Sequence, residues 1–101
     1  MRLIIKGKQF KVPQDLAEFA EQKIRKFEKR MPTNAVIDLL FYDDRGPRGG
    51  LDKICEITLV LPGEKKPKYF SERSDSFRKS VNLIQEKLER ELRKYKEKKN
   101  Y

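Results

Sequence analysis

The chain has 101 residues and a basic excess: 25 Lys and Arg oppose 16 Asp and Glu, which gives a formal net charge of +9. This length allows one small domain, residues 1–101, with a single core. Because the chain has no His and one cysteine, Cys55, the composition excludes histidine-based acid–base catalysis, Cys–His nucleophiles and the usual zinc sites. We therefore expect a binding protein that is not an enzyme, that uses no cofactor or metal, and that resides in a reducing cytoplasm.

The first half of the chain predicts a strand, a helix and a second strand. Arg2–Phe10 begins with a run of apolar and β-branched residues, which is typical of a short strand. Pro13 suits the first turn of a helix, and Gln14–Arg30 has helical periodicity. The apolar residues of that segment fall on one face: Leu16, Ala20, Ile24 and Phe27. Pro32 ends the helix, and Ala35–Tyr42 predicts a mostly buried strand.

Two further strands and their turns are predicted in the middle of the chain. Asp43–Gly50 is dense in turn residues and forms a basic loop, and Lys53–Leu61 is a buried strand. The apolar side chains of this strand alternate on one face: Cys55, Ile57, Leu59 and Leu61. Pro62–Lys68 is another turn, and Tyr69–Arg73 is short enough to be an edge strand.

The last predicted element is a long helix that Ser74 or Asp75 can cap and that runs to about Lys98. A single core stripe runs along it: Phe77, Val81, Ile84, Leu88, Leu92 and Tyr95. The element order is therefore β-α-β-β-β-α. It predicts an α+β fold in which two helices pack on one face of a four-stranded sheet.

Both helices carry several of their cations on one side of the apolar stripe, although Arg93 points more toward the opposite flank. On a wheel of about 100° per residue, the last helix places its basic residues on one arc: Lys79, Lys87, Arg90, Lys94 and Lys98. The first helix has a matching basic flank: Lys23, Lys26, Lys29 and Arg30. Two such helices on one face of a sheet predict a continuous cationic surface, which attracts nucleic acid, an anionic membrane or an acidic protein.

Simpler interpretations of these helices stay open at this point. A helix rich in Lys and Glu is equally typical of a solvated face, and a long amphipathic helix also occurs in coiled coils. Phe19 lies on the basic side of the first helix, where it is either an aromatic residue at the edge of the core or a stacking platform for an unpaired base. Cys55 alternates with core residues and is expected to be a packing residue. The pattern does not fix the directions of Arg45 and Arg48 in the loop.

Three segments carry a resemblance to a known family. The run Lys87–Lys96 (KLERELRKYK), preceded by Asp75 and Phe77, is similar to the last helix of the ribosome hibernation-promoting factors. Lys23–Lys29 is similar to the first helix of that family, and Cys55–Gly63 (CEITLVLPG) is similar to its third strand and the following turn. The family includes the ribosome-associated inhibitor called protein Y, and the resemblance covers nearly the whole chain.

The resemblance implies the same β-α-β-β-β-α fold and a function on the ribosome. Members of this family bind the small ribosomal subunit between head and body, where they cover the channel for messenger RNA and the A- and P-site tRNAs. Contact with ribosomal RNA is then assigned to six residues: Lys23, Lys26, Lys29, Lys87, Arg90 and Lys94. A second group ranks below these six: Phe19, Arg30, Lys79, Arg93 and Lys98. The implied partners are the small subunit and its RNA, with no membrane, no small-molecule substrate, and a monomeric state off the ribosome.

The sequence departs from the family pattern at the start of the last helix and at the end of the chain. Phe77 replaces the usual Tyr, and Arg78 and Lys79 stand where small or apolar residues are usual. Two cations in a first helical turn are mildly unfavourable unless an anion lies nearby. The C-terminal dimerisation domain of the long forms has no counterpart here, so the chain resembles a short form or the N-terminal domain of a long form. A regulatory protein-interaction module and a free structured-RNA-binding domain are the alternatives.

Overall fold

The structure, a computed structural model, describes residues 1–44 and 52–99, and for the last two of these it describes the backbone alone. The helices and strands follow the predicted order: β1 Arg2–Gly7, α1 Gln14–Arg25, β2 Val36–Asp43, β3 Lys53–Val60, β4 Lys68–Ser74 and α2 Phe77–Lys99. The predicted α+β fold is confirmed. Most of the predicted loop Asp43–Gly50, including Arg45 and Arg48, lies outside the described residues.

The four strands form one sheet in the order β1-β2-β3-β4. β1 runs parallel to β2, with α1 between them in the chain, and the other neighbouring pairs are antiparallel. Leu3 pairs with Ile37, and Ile37 pairs with Leu59, so these apolar side chains point to the same face. That face carries the core, and β4 is an edge strand as predicted.

Both helices pack on the apolar face of the sheet. The residues of the first predicted stripe are all buried: Leu16, Ala20, Ile24 and Phe27. The α2 stripe is buried through four residues: Val81, Ile84, Leu88 and Leu92. Phe77 and Tyr95, at the two ends of that stripe, are partly buried against the same core. Because the core already covers this stripe, the α2 surface that a coiled coil would use is occupied.

The first helix is shorter than predicted. α1 ends at Arg25, and the chain continues as a 3₁₀ turn over Glu28–Arg30, whose last N–H bonds to the carbonyl of Phe27 at 2.9 Å. The prediction of one helix over residues 14–30 is therefore wrong. Pro32 explains the difference, because it disfavours a helical Met31 (φ −113°, ψ 148°), and the turn before it tightens to i→i+3 hydrogen bonds. Lys29 and Arg30, the two cations of that turn, therefore do not occupy the positions that an α-helical wheel assigns to them.

The second helix is capped by Ser76, not by Ser74 or Asp75. The Ser76 Oγ accepts a hydrogen bond from the backbone N–H of Arg78 at 3.2 Å, as an N-cap residue does. Ser74 is instead buried, and its hydroxyl lies 2.8 Å from that of Ser80. The predicted cap is therefore wrong by one or two positions. The pair of buried hydroxyls fixes the start of α2 against β4.

Candidate nucleic-acid interface

A groove runs between the two helices, and we call it the interhelical groove. It is lined by residues of α2, of the 3₁₀ turn and of the segment that joins this turn to α1: Lys26, Phe27, Arg30, Gln85, Glu86, Glu89, Arg90 and Arg93. Four of these residues are cations and two are carboxylates. Lys26 and Arg30 of the predicted basic flank therefore face α2, and the groove is positive overall.

Glu89 organises two of the arginines in the interhelical groove. Its carboxylate accepts a hydrogen bond from the Arg30 guanidinium at 2.5 Å and lies 3.3 Å from the Arg93 Nε. The hydrogen bond from Arg30 holds the pKa of Glu89 below its ordinary value, and the charge of Arg93 adds to the effect. Arg93, which the helical wheel places toward the opposite flank, thus lies in the same groove as Lys26 and Arg30.

A second groove lies on the other side of α2, against the edge strand, and we call it the β4–α2 groove. Its lining comes from those two elements: Lys68, Tyr69, Phe70, Lys87, Arg90, Glu91 and Lys94. Glu91 lies 3.3 Å from Lys68 Nζ and 3.5 Å from Lys94 Nζ. Lys87 pairs with Glu72 of β4 at 3.5 Å and donates a hydrogen bond to the Ser71 carbonyl at 3.3 Å. Lys87 and Lys94 therefore face β4 and not α1.

Arg90 is the residue that connects the two grooves, because it lines both of them. Its side chain is exposed. Within residues 1–44 and 52–97, Arg90, Lys26 and Lys29 form no ion pair. Their charge is thus uncompensated, unlike that of Arg30, which Glu89 holds. The surface predicted to be continuous consists of two grooves that share one free guanidinium.

Two further predicted contact residues, Lys23 and Lys29, line neither groove. Lys29 borders a depression beside Tyr95 and Lys96 at the far end of α2. Lys23 lies over the ring of Phe19, with its Nζ 5.3 Å from the ring centroid. The side chain of Lys98, the last residue of the predicted arc, lies outside the described part of the chain.

Phe19 is partly buried and packs against the core. The Arg78 guanidinium covers its ring at 4.6 Å from the centroid, closer than the cation of Lys23. A base that stacked on this ring would have to displace Arg78 from the face that it covers. This packing favours the edge-of-core interpretation of Phe19 over the stacking interpretation.

The two unusual cations at the start of α2 each have a carboxylate partner. Arg78 lies 3.4 Å from Asp15 of α1, and Lys79 lies 3.0 Å from Asp75. These carboxylates supply negative charge at the positive end of the helix dipole, which offsets the cost of placing cations there. The departure from the family pattern is therefore explained by the chain itself, without a phosphate.

Cys55 is fully buried in the core, and burial raises the pKa of its thiol to about 12. The side chain is therefore a neutral packing group at neutral pH, as the alternation of β3 predicts. Among the residues that the structure describes, no group of three or more acidic or cysteine side chains is placed to hold a metal ion. No helix in the described ranges is long and apolar enough to cross a membrane.

Sequence reasoning missed Tyr69, which it treats only as the first residue of an edge strand. Its side chain is 74% exposed and it borders the β4–α2 groove. The alternation of β4 contains the signal, because Phe70 packs against the core and its neighbour must then point the other way. The sequence likewise predicts Lys68 in a turn, whereas β4 begins with this residue.

The sequence pattern of the family described as sigma 54 modulation protein / S30EA ribosomal protein matches residues 3–100. No curated protein sequence matches the chain. Among solved structures, the chain is similar to a ribosomal subunit interface protein from Coxiella burnetii, with 27% identity and a TM-score of 0.75 over 95% of this chain and 98% of that one. It shares its fold with the N-terminal domain of protein Y from Thermus thermophilus, with 14% identity and a TM-score of 0.76 over 94% of this chain and 99% of that one. The resemblance to the hibernation-promoting factors is thereby confirmed, and the chain belongs to the sigma 54 modulation protein / S30EA ribosomal protein family.

Proposed function

We propose that this protein is a ribosome-associated translation inhibitor that acts in the cytoplasm without catalysis. It binds the decoding region of the small ribosomal subunit through the interhelical and β4–α2 grooves and blocks messenger RNA and tRNA by occupying their channel. Residues 1–101 act as one ribosome-binding domain. Family membership and the likeness to a ribosomal subunit interface protein support the choice of the ribosome as partner.

The position of Arg90 is the observation that carries the proposal. A free guanidinium shared by two cationic grooves can contact phosphates on both sides of α2 at once. The uncompensated charges of Lys26 and Lys29 lie beside the first of these grooves. The sheet holds both helices in a fixed relative position, so the cations are presented as a rigid pattern. Such a pattern suits the shape of a folded RNA, which is recognised mainly through phosphate and sugar contacts.

Competition with tRNA on isolated small subunits tests this function. The wild-type protein is expected to co-sediment with the subunits and to reduce the binding of P-site tRNA in a dose-dependent way. Arg90→Glu should lose most of both effects, because it replaces a phosphate contact with repulsion in both grooves. Arg2→Glu is the matched control, since Arg2 is an exposed residue of β1 away from the grooves and the change in net charge is the same.

The alternatives give different results in the same preparation. A free structured-RNA-binding domain would bind protein-free RNA as well as it binds intact subunits. A module for an acidic protein would sediment with neither. Co-sedimentation with subunits that leaves tRNA binding unchanged would contradict the occupancy mechanism, and equal binding by Arg90→Glu and wild type would contradict the assigned surface.

A further inference from the structure

Tyr69 presents an aromatic ring that nothing in the described chain covers. Its side chain is 74% exposed, and among the described residues it forms no hydrogen bond, ring stack or cation contact. Other aromatic rings are occupied: Phe10 stacks on Phe77 at 5.3 Å, and Arg78 covers Phe19. The ring of Tyr69 is therefore accessible to a ligand.

The surroundings of Tyr69 combine phosphate-binding and base-binding groups. On one side lies the β4–α2 groove with the cations of Lys87, Arg90 and Lys94. On the other side lies a shallow groove over β3 and β4, which Tyr69 also borders together with Glu56, Ile57, Thr58, Phe70 and Ser71. The hydroxyls and the carboxylate of that second groove can form hydrogen bonds with the edge of a base.

We infer that Tyr69 is a stacking platform for an unpaired base of RNA, whose phosphates lie in the β4–α2 groove. Single-stranded nucleic acid is typically bound by cations that follow the backbone and by aromatic rings on which bases stack. Tyr69 supplies the ring, on the side of the edge strand that points away from the core. The adjoining groove supplies the charge through Arg90, which has no ion-pair partner among the described residues, and through Lys87 and Lys94, which pair with Glu72 and Glu91. The inference rests on the proposed RNA binding and adds to it a class of ligand, an unpaired nucleotide, and a place for that nucleotide.

A protein strand added to the edge of the sheet fits this region less well. β4 carries charged side chains at Lys68, Glu72 and Arg73, and charged edge strands disfavour pairing with another strand. Lys87 also donates a hydrogen bond to the Ser71 carbonyl, which engages a backbone acceptor that a new strand would need. Charge and edge chemistry therefore both favour nucleic acid.

The absence of Trp from the sequence allows a direct test of stacking. Tyr69→Trp introduces a single tryptophan, whose fluorescence is quenched when a base stacks on it. Titration of this variant with a single-stranded oligoadenylate of about 12 nucleotides is expected to quench the indole fluorescence. Inorganic polyphosphate, which has the charge but no bases, should leave the fluorescence unchanged. Glu18→Trp places the reporter at an exposed position of α1 and should show no quenching with either ligand.

Affinity gives a second and independent measurement. Tyr69→Ala should weaken binding of the same oligoadenylate by about 5- to 100-fold, the loss expected for one base-stacking contact. Glu18→Ala, a change at an exposed residue outside both grooves, should change it by no more than about twofold. Thermal melts show whether both variants are folded. The melting temperature of Tyr69→Ala should be close to that of the wild type, because the Tyr69 side chain is exposed.

The outcomes separate this inference from the proposed function. If the wild type binds small subunits while oligoadenylate does not quench the Tyr69→Trp variant, the inference is wrong and the ribosomal function stands. If that variant is quenched but the wild type does not bind subunits, the stacking site is supported and the ribosomal function fails. If Tyr69→Ala weakens subunit binding although oligoadenylate causes no quenching of Tyr69→Trp, the ring contacts a part of the subunit other than an unpaired base, and the inference is overturned.

Discussion

The Arg30 guanidinium donates a hydrogen bond to the Glu89 carboxylate across the interhelical groove, and the two residues lie 59 positions apart in the chain. The second oxygen of Glu89 lies 3.3 Å from Arg93. One carboxylate therefore connects the 3₁₀ turn after α1 to α2 and fixes two of the cations that face the groove. A phosphate that enters the groove meets arginines that are already oriented, and it competes with Glu89 for them.

Glu89→Gln should remove a contribution to stability that depends on pH. The pKa of Glu89 is lowered in the folded state by the Arg30 hydrogen bond, so folding favours the deprotonated carboxylate. This contribution is present above the ordinary glutamate pKa of about 4.3, and it is lost as the pH falls through the lower pKa of the folded state. The wild type should therefore melt above Glu89→Gln at pH 7, and the difference should vanish in acid.

Glu86→Gln is the control for that measurement. Glu86 lies in the same groove, and within the described residues it forms no ion pair. Its substitution changes the net charge equally without removing a bridge between the helices. If both variants lower the melting temperature equally at pH 7, the stability of the protein depends only on the net charge of the groove, and the bridge from Glu89 to Arg30 is not stabilising.

Phe19→Ala should lower the stability of the protein and leave RNA binding by the folded fraction unchanged. The ring packs against the core, and the Arg78 guanidinium lies over it, so truncation removes apolar burial together with a cation–π contact. Truncation of a fully buried Phe to Ala typically costs about 3–5 kcal/mol of the free energy of unfolding. Because Phe19 is only partly buried, its truncation should cost less. Urea denaturation and co-sedimentation measure the two effects. Unchanged stability with weakened binding would assign the stacking role to Phe19 after all.

The fold could be predicted because its signals are local. Alternation in β3 and the i, i+4 pattern of α2 each specify a buried face without knowledge of any other element. The end of α1 was missed because the periodic apolar pattern continues to Phe27, beyond Arg25, while the chain tightens before Pro32. Three residues that can cap a helix follow one another from Ser74, and sequence alone does not rank them.

The candidate site was only partly predictable, because a helical wheel treats each helix alone. It identifies Lys87 and Arg90 as neighbours on one arc, but it does not say that Lys87 faces β4 while Arg90 also lines the interhelical groove. For the same reason the wheel of α2 places Arg93 away from the basic arc, although Arg93 lies in one groove with Lys26. The core sets the relative placement of α1, α2 and β4. This placement brings cations from different elements together in the two grooves.

Leu88→Ala should destabilise the protein strongly without touching either groove. Leu88 is 0% exposed and lies in the centre of the α2 stripe. Its truncation should cost about 2–5 kcal/mol through lost burial and the cavity left behind. Leu88→Met retains most of the volume and should cost less than about 1.5 kcal/mol. Urea denaturation of the three proteins checks this order, and an equal loss for Ala and Met would mean that packing at this position is not specific.

The affinity for small subunits should fall steeply with salt, and the steepness should depend on the free cations. Each Lys or Arg that contacts a phosphate displaces condensed counterions, so log Kd depends linearly on log salt concentration with a slope of about one per contact. The double substitution Lys26→Ala and Arg90→Ala should therefore lower the slope by about two. Arg2→Ala removes a cation outside both grooves and should leave the slope unchanged. Binding measured at several salt concentrations gives the slopes, and equal slopes for the double variant and the wild type would mean that these two cations do not contact phosphate.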